Sequence, residues 1–387
     1  MINTLILVLC LVSSGVSPIV YGIENIFKED LELDRQLKLI NKPPVKTIHT
    51  EHGDIVDCID INKQPAFDHP LLKNHKLQEK PNFQRPIGKI SGKKLSGRSM
   101  FGFDKHHCYK GTVPILRTTK ENLIREKKLL NSSIFVKDIS GVHLAEIAVS
   151  SKFGPYFSID ANNIVYNPTV TKGQMSLSHI WVQNGPINTN NKISMGWHVS
   201  PELYGDYDTH EYATWTSDNY HRTGCFNLRC PGFVQTHSGL HLGKRLTNVS
   251  FYGGPLYSFR SSISQDPSTK NWWVGIQDFY IGYYPAELFS NLGSADKVGL
   301  GGRTSTAPGS PSPPMGSGHF PGNFFHSSFF DLIFVQNASR RNYGPEKYQT
   351  EHYLDKPKCY GLKYFGNLHQ NVGCALQFGG PGGNCGD

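Results

Sequence analysis

The chain has 387 residues, with 39 Lys and Arg against 31 Asp and Glu, and carries a formal net charge of +8 at pH 7. That length predicts two domains rather than one, and 39 Gly, 24 Pro and 12% aromatic residues predict a turn-rich, strand-dominated protein, excluding helical-bundle and disordered classes. The basic residues are scattered, in isolated pairs such as Lys127-Lys128 and Arg340-Arg341, which excludes the long basic run of a nucleic-acid-binding surface.

Residues 1–22 read as a signal peptide. Ile2 to Val12 form an apolar stretch too short to span a bilayer, and Gly22 is the expected cleavage point. No later segment approaches 18 continuous apolar residues, so no membrane anchor is expected and the mature protein is expected to be secreted, to the apoplast or vacuole. Secretion makes disulfides the default for the seven cysteines outside the leader. Cys58 pairs naturally with Cys108, and Cys225 with Cys230 closes a tight loop. Cys359, Cys374 and Cys385 leave one thiol over, and the residues alone do not choose among them. Sequons at Asn131, Asn248 and Asn337 predict glycosylation.

From residue 23 to about 85 the charge alternates, with an amphipathic helical look over Ile26 to Leu39 and no run of strands. Cys58, flanked by Val56 and Ile59, predicts one short strand pinned by a bridge, and the prolines at 65 and 70 predict an extended path across another surface. A linker is expected over about 86–100, followed by a polar, helix-compatible stretch to Leu130. Beyond His143 short apolar alternations such as Met175-Ser176-Leu177-Ser178-His179-Ile180-Trp181-Val182 are punctuated by turns at Asn184-Gly185 and Gly253-Gly254-Pro255, which predicts an all-β, antiparallel β-sandwich.

Candidate chemistry from local motifs is thin. His237 and His241 stand four apart, and His210-Glu211 begins a zincin-like pattern that Thr214 ends, so no metal is expected on strands of this kind. The glycines of 301–302 and 379–383 lack the lysine and the strand-to-helix context of a phosphate loop, and no cofactor is expected.

Three stretches carry more. They are Gly196-Trp197-His198-Val199-Ser200-Pro201-Glu202-Leu203-Tyr204-Gly205-Asp206, Thr223 to Gln235 (Thr-Gly-Cys-Phe-Asn-Leu-Arg-Cys-Pro-Gly-Phe-Val-Gln), and Met315-Gly316-Ser317-Gly318-His319-Phe320-Pro321. Together they resemble the neprosin family of plant secreted proteins, whose characterised members are glutamic peptidases that cut next to proline. The stretch from Gly53 to His75 is similar to that family's activation peptide, and Gly111 to Arg117 to the end of its pro-region. The resemblance implies a small α+β pro-region over residues 23–139, processed between about 117 and 142. It also implies a peptidase-like domain over 140–387 built from two packed, curved sheets whose concave face binds extended peptide, and a pairing of Cys359 with Cys385 that leaves Cys374 free.

In the family one strand reads Ile-Glu-Ala-Gly-Trp and another Gly-Gly-Glu. Here the matching stretches are Ile193-Ser194-Met195-Gly196-Trp197 and Gly301-Gly302-Arg303. Paired carboxylates hydrolyse a peptide by activating water and protonating the leaving nitrogen, work that serine without an activating partner and arginine cannot do. The expectation is a monomeric pseudopeptidase that binds an extended or proline-containing peptide, or a cell-wall component, with Ser194, Arg303, Trp197 and Gln235 as cleft residues. Arg303 is expected to face a ligand, or else to point to solvent or pair with an acid such as Asp296. The Pro-rich segment 308–314 is read as a surface loop, or as a loop that occupies the cleft. The alternative is an active carboxyl-type endopeptidase made as a zymogen, with Glu202, Asp206, Asp208, Glu211, Asp218, Asp278 or Glu287 replacing the lost acids.

Overall fold

The computed structural model describes residues 18–84, 98–99, 107–129, 139–368 and 372–386. The leader reading apart from residues 18–22, most of the linker, and Asn131 lie outside them. An N-terminal helix α1 (Pro18–Ile40) leads into β1 (Lys46–His49) and β2 (Ile55–Asp60). After β3 (Arg98–Ser99) come β4 (Thr112–Leu116) and α2 (Lys120–Leu129). β1, β2 and β4 form a three-stranded sheet, more strand than the alternating charges suggest. The charges themselves hold it: Arg117 grips Asp57 with Nε–Oδ2 at 2.7 Å and Nη2–Oδ1 at 2.6 Å, Thr47 donates to the same carboxylate at 2.8 Å, and Cys58–Cys108 ties β2 to the chain beyond β3.

The remainder alternates strand and turn. β5 (Val142–Val149), β6 (Ser158–Ile164), β7 (Met175–Asn184) and β8 (Asn191–Val199) precede a short helix, α3 (Pro201–Tyr204). β9 (Thr209–Thr216), β10 (Cys225–Phe226), β11 (Val234–Gln235), β12 (Tyr257–Gln265), β13 (Trp272–Ile276) and β14 (Phe279–Tyr284) follow. β15 (Lys297–Ser305), β16 (Ser328–Gln336), β17 (Asn342–Tyr343), β18 (Thr350–Leu354), β19 (Gly361–Asn367) and β20 (Cys374–Gly379) complete the chain. A seven-stranded sheet runs β10-β9-β8-β7-β15-β5-β18, and a second sheet runs β11-β14-β13-β12-β6-β16-β20-β19 with β3 and β17 beside it. Apart from the parallel β3–β12 pair, the ladders between the named strands are antiparallel. This is the antiparallel β-sandwich read from the sequence.

Strand alternation sorts the side chains. Ala145, Ile147, Ile180, Met195, Trp197, Ala213, Val298 and Leu300 of the first sheet meet Ile159, Phe259, Trp272, Val274, Phe330 and Phe378 of the second in one core. The residues between them in sequence, among them Glu146, His179, Ser194, Tyr212 and Arg303, therefore occupy the outer face of the seven-stranded sheet. The disulfides Cys225–Cys230 and Cys359–Cys385 close, and Cys374 is a buried free thiol.

The activation segment lies across the outer face of the second sheet. Trp273, Tyr283 and Val234 sit side by side in register and pack against Ala66, Phe67, Leu77 and Phe83. Gln64 reads the edge of β11 like another strand, its amide donating to the Gln235 carbonyl at 3.0 Å and accepting from the Gln235 N–H at 2.7 Å. Farther along, the Asp266 carboxylate accepts from the Asn82 N–H and the Gln78 amide, both at 2.7 Å. The Pro-rich segment pairs Ser312 with Gly383 and Met315 with Gly380, and the Tyr360 hydroxyl donates to Pro313, so it is spent on the C-terminal strands.

Candidate functional site

The centre of the seven-stranded sheet is set by register. Glu146 of β5 stands opposite Gly301 of β15, Gly301 opposite His179 of β7, His179 opposite Gly196 of β8, and Gly196 opposite Tyr212 of β9. Residues directly opposite share a face, so these five make one row on the outer side. Ser194 lies two residues before Gly196, and Arg303 two after Gly301. The two positions thus flank the row from opposite sides, about 13 Å apart along the strands and about 10 Å across them, and long side chains at both would converge over His179.

Glycine is required in the middle of this row. A Cβ at Gly196 would lie 1.9 Å from the Ser178 carbonyl oxygen, and Gly301, at φ +151°, would place one 2.3 Å from that of Ala145. Those gaps let the neighbouring strands carry long polar side chains over them. Arg303 and Glu146 are both fully buried and form a two-pronged ion pair, Arg303 Nη2 meeting Glu146 Oε2 at 3.0 Å while Nε donates to Oε1. The same Oε1 lies 2.8 Å from His179 Nε2, and His179 Nδ1 lies 3.1 Å from the Tyr212 hydroxyl. Arg303 thus neither points to solvent nor pairs with Asp296: its partner is an acid 157 residues away in sequence.

Burial alone would push the Glu146 carboxyl up, but the Arg303 guanidinium and the His179 hydrogen bond override it and hold the carboxyl well below its ordinary range. Burial pushes His179 down to about 4 against the pull of Glu146. At mildly acidic to neutral pH the imidazole is neutral, so Nε2–H donates to Glu146 and Nδ1 accepts the Tyr212 hydroxyl. Burial drives the Tyr212 phenol well above its ordinary value. The carboxylate–imidazole–hydroxyl order is that of a proton relay, yet its carboxylate is neutralised by arginine and its hydroxyl is hard to ionise. A buried ion pair of this kind orders a sheet face better than it moves protons.

The other sequence candidates do not join this row. Trp197 faces the core, its Nε1 donating to the Ile164 carbonyl at 3.0 Å and to Asn163 at 3.3 Å. Gln235 is buried at the edge of the second sheet, its amide donating to the Leu240 carbonyl. Of the alternative acids, Glu211 points into the core, where burial raises its carboxyl well above the ordinary value with the Gly243 N–H as donor at 3.2 Å. Asp206 and Asp208 pair with Arg245. Asp218 holds the turn after β9 through Thr223, and Glu287 meets His75 at 2.9 Å. Glu202 opens α3, and Asp278 is exposed in the turn between β13 and β14. His237 Nδ1 accepts the N–H of Leu240, and His210 reaches Asp206, so neither begins a metal site; among the described residues no group of three or more His, Cys, Asp and Glu could hold a metal. Asn248 is exposed as a glycan acceptor must be, whereas the Asn337 side chain caps its own turn through the N–H groups of Ser339 and Arg341.

Sequence reasoning missed Glu146 and His179, although a signal was present. Val142-His143-Leu144-Ala145-Glu146-Ile147-Ala148-Val149 puts one acid in the middle of an apolar run, Leu144 to Val149, and such an acid needs a buried cation.

The fold is similar to that of scytalido-glutamic peptidase crystallised with a peptide-based transition state analog, with 11% sequence identity and a TM-score of 0.34 over 62% of this chain and 97% of that one. It is also similar to SCP-B, a member of the Eqolisin family of peptidases in complex with the tripeptide Ala-Ile-His, at 9% identity and a TM-score of 0.31 over the same shares. A homodimeric agglutinin from chicken liver matches 42% of this chain and 96% of its own, at 8% identity and a TM-score of 0.23. The Neprosin activation peptide family model matches residues 47–141. With the Neprosin family model matching residues 172–381, more than half of its length, the chain belongs to the Neprosin family.

Proposed function

We propose that this chain is a peptidase-like protein without peptidase chemistry, in which the outer face of the seven-stranded sheet binds an extended, proline-containing peptide without cutting it. The observation that carries this reading is the buried Arg303–Glu146 pair. It places a permanent cation where the resemblance calls for an acid, and it neutralises the carboxylate of the row. A serine at 194 and a guanidinium at 303 supply neither the base nor the acid of a paired-carboxylate mechanism. We take residues 1–22 as a leader, 23–139 as the pro-region and 140–387 as the binding domain of a secreted, glycosylated monomer.

The test incubates the purified full chain, acid-treated to release any pro-region, with proline-containing peptides from about pH 2.5 to about pH 7, the range over which carboxylates and imidazoles titrate, and follows products by mass spectrometry. Intact peptides support the reading. A second reading, residual catalysis through the relay, draws on the 2.8 Å and 3.1 Å contacts that link Glu146, His179 and Tyr212. Cleavage that disappears in both Glu146→Gln and Tyr212→Phe would put it in first place.

A further inference from the structure

The activation segment has no core of its own. In β2 and β4 the runs Val56 to Ile59 and Thr112 to Ile115 are buried without a break, so both faces of this small sheet are covered, whereas an antiparallel sheet standing alone leaves one face to water. On the face that carries Ile59, Val113 and Ile115 the partners belong to the sandwich: these three and Leu72 share one core with Leu228, Leu240 and Leu242. Ala66 lies with Val234, Trp273 and Tyr283, all three fully buried. Hydrogen bonds close the same seam. The Cys108 N–H donates to the Ser238 carbonyl at 3.0 Å, the Gln78 N–H donates to the Tyr283 hydroxyl at 3.0 Å, and Gln64 is bonded to both backbone groups of Gln235. The approach is close: a Cβ at Gly239 would lie 2.2 Å from His107 Nδ1.

A cut between α2 and β5 would leave two pieces with no covalent link through the disulfides, since Cys58–Cys108 lies on one side of it and Cys225–Cys230 and Cys359–Cys385 on the other. Departure of the N-terminal piece would bare Val234, Trp273, Tyr283, Leu240 and Leu242 and strip Gln64 from both backbone groups of Gln235. Apolar surface of that kind is covered in an obligate interface, and buried backbone groups left without partners are costly. We propose that residues 46–84 and 107–117 are a permanent layer of the fold, so that a chain cut between α2 and β5 remains one two-piece molecule. Retention of the layer keeps the outer face of the second sheet at Val234, Trp273 and Tyr283 closed to any ligand of the mature protein. The inference concerns the pro-region proposed above and does not rest on peptide binding.

The experiment uses the full chain with an affinity tag at its C-terminus and, after Leu130, a flexible Gly/Ser-rich insert that carries the sequence of a site-specific protease. The protein is cut to completion, as followed on a denaturing gel, and then diluted at neutral pH to about 10 nM for size exclusion and capture by the tag. Both pieces are expected in one peak and in the captured fraction, which corresponds to a dissociation constant below about 10 nM. An N-terminal piece that separates overturns the inference, whether the remainder stays folded or aggregates. In the cut protein Gln64→Ala should speed dissociation of the pieces about tenfold, because it leaves two buried backbone groups unpartnered. Phe67→Ala, which keeps the hydrogen bonds of the seam and removes packing against Trp273 and its neighbours, should also speed it. Rates unchanged in both variants place the hold elsewhere and overturn the assigned layer. Because the cut is engineered, the outcome is independent of where the natural chain is processed.

Discussion

Replacing Arg303 by Met should be among the most damaging single changes in the chain. It removes one member of a fully buried, two-pronged pair and leaves the Glu146 carboxylate with His179 as its remaining bonded partner. Breaking such a pair from one side costs about 3–5 kcal/mol, because the orphaned charge stays buried. At about 2–4 °C per kcal/mol for a domain of this size, the melting temperature should fall by roughly 6–20 °C. Removing both members is less costly than removing one, so Arg303→Met with Glu146→Gln should melt above Arg303→Met alone, a coupling that thermal unfolding of the four-member cycle measures directly. His179 gives a second readout. Arg303 helps hold that imidazole down at about 4, so in Arg303→Met its NMR titration should move upward toward the ordinary histidine range. A single variant within about 0.5 kcal/mol of wild type, or a double variant no better than the single, would refute the assignment of a buried pair.

Three further outcomes follow from groups outside that cycle or beside it. His179 is neutral in the fold down to about pH 4, whereas the unfolded chain takes up its proton near pH 6.5, so stability falls as pH drops through that window; urea midpoints should decline by the equivalent of about 3 kcal/mol from this group, and His179→Gln should flatten the decline. Glu211 behaves oppositely, since burial raises its folded carboxyl and stability is full below its unfolded value and lost as pH rises; Glu211→Gln should therefore unfold at higher urea than wild type at pH 7 and match it near pH 4. Burial would raise the Asp266 carboxyl, but the Asn82 N–H and its other donors hold it below its ordinary value, so its grip on residues 78–82 is present above about pH 4 and lost as pH falls further. Asp266→Asn should loosen that strap already at neutral pH, read as faster limited proteolysis between residues 64 and 84.

The architecture was legible because strand periodicity and turn chemistry are local. The alternation over Met175 to Val182 marked β7, yet all eight residues are buried, so the strand is not half solvated as such a pattern ordinarily implies. The alternation reports two chemically different buried faces instead. The three short pro-region strands were partly hidden because a charged pair, Arg117 with Asp57, does the work expected of apolar residues. Of the site, the sequence singled out only positions 194 and 303. The hairpin of β7 and β8 places Ser194 locally, but the register that puts Arg303 on the other side of His179 comes from the β15–β7 ladder, which joins segments more than a hundred residues apart, and no local spacing encodes it.

The Arg303–Glu146 pair also explains how an arginine at 303 fits the fold at all. A guanidinium with no exposure inside a sheet face is tolerable only if a carboxylate is already within reach, and Glu146 reaches it from the neighbouring strand because Gly301, directly opposite, carries no side chain to block its path. The pair is neutral overall, so the cation that Arg303 buries adds no net charge to this face. Arg303 with Glu146 thus closes that end of the row by mutual neutralisation.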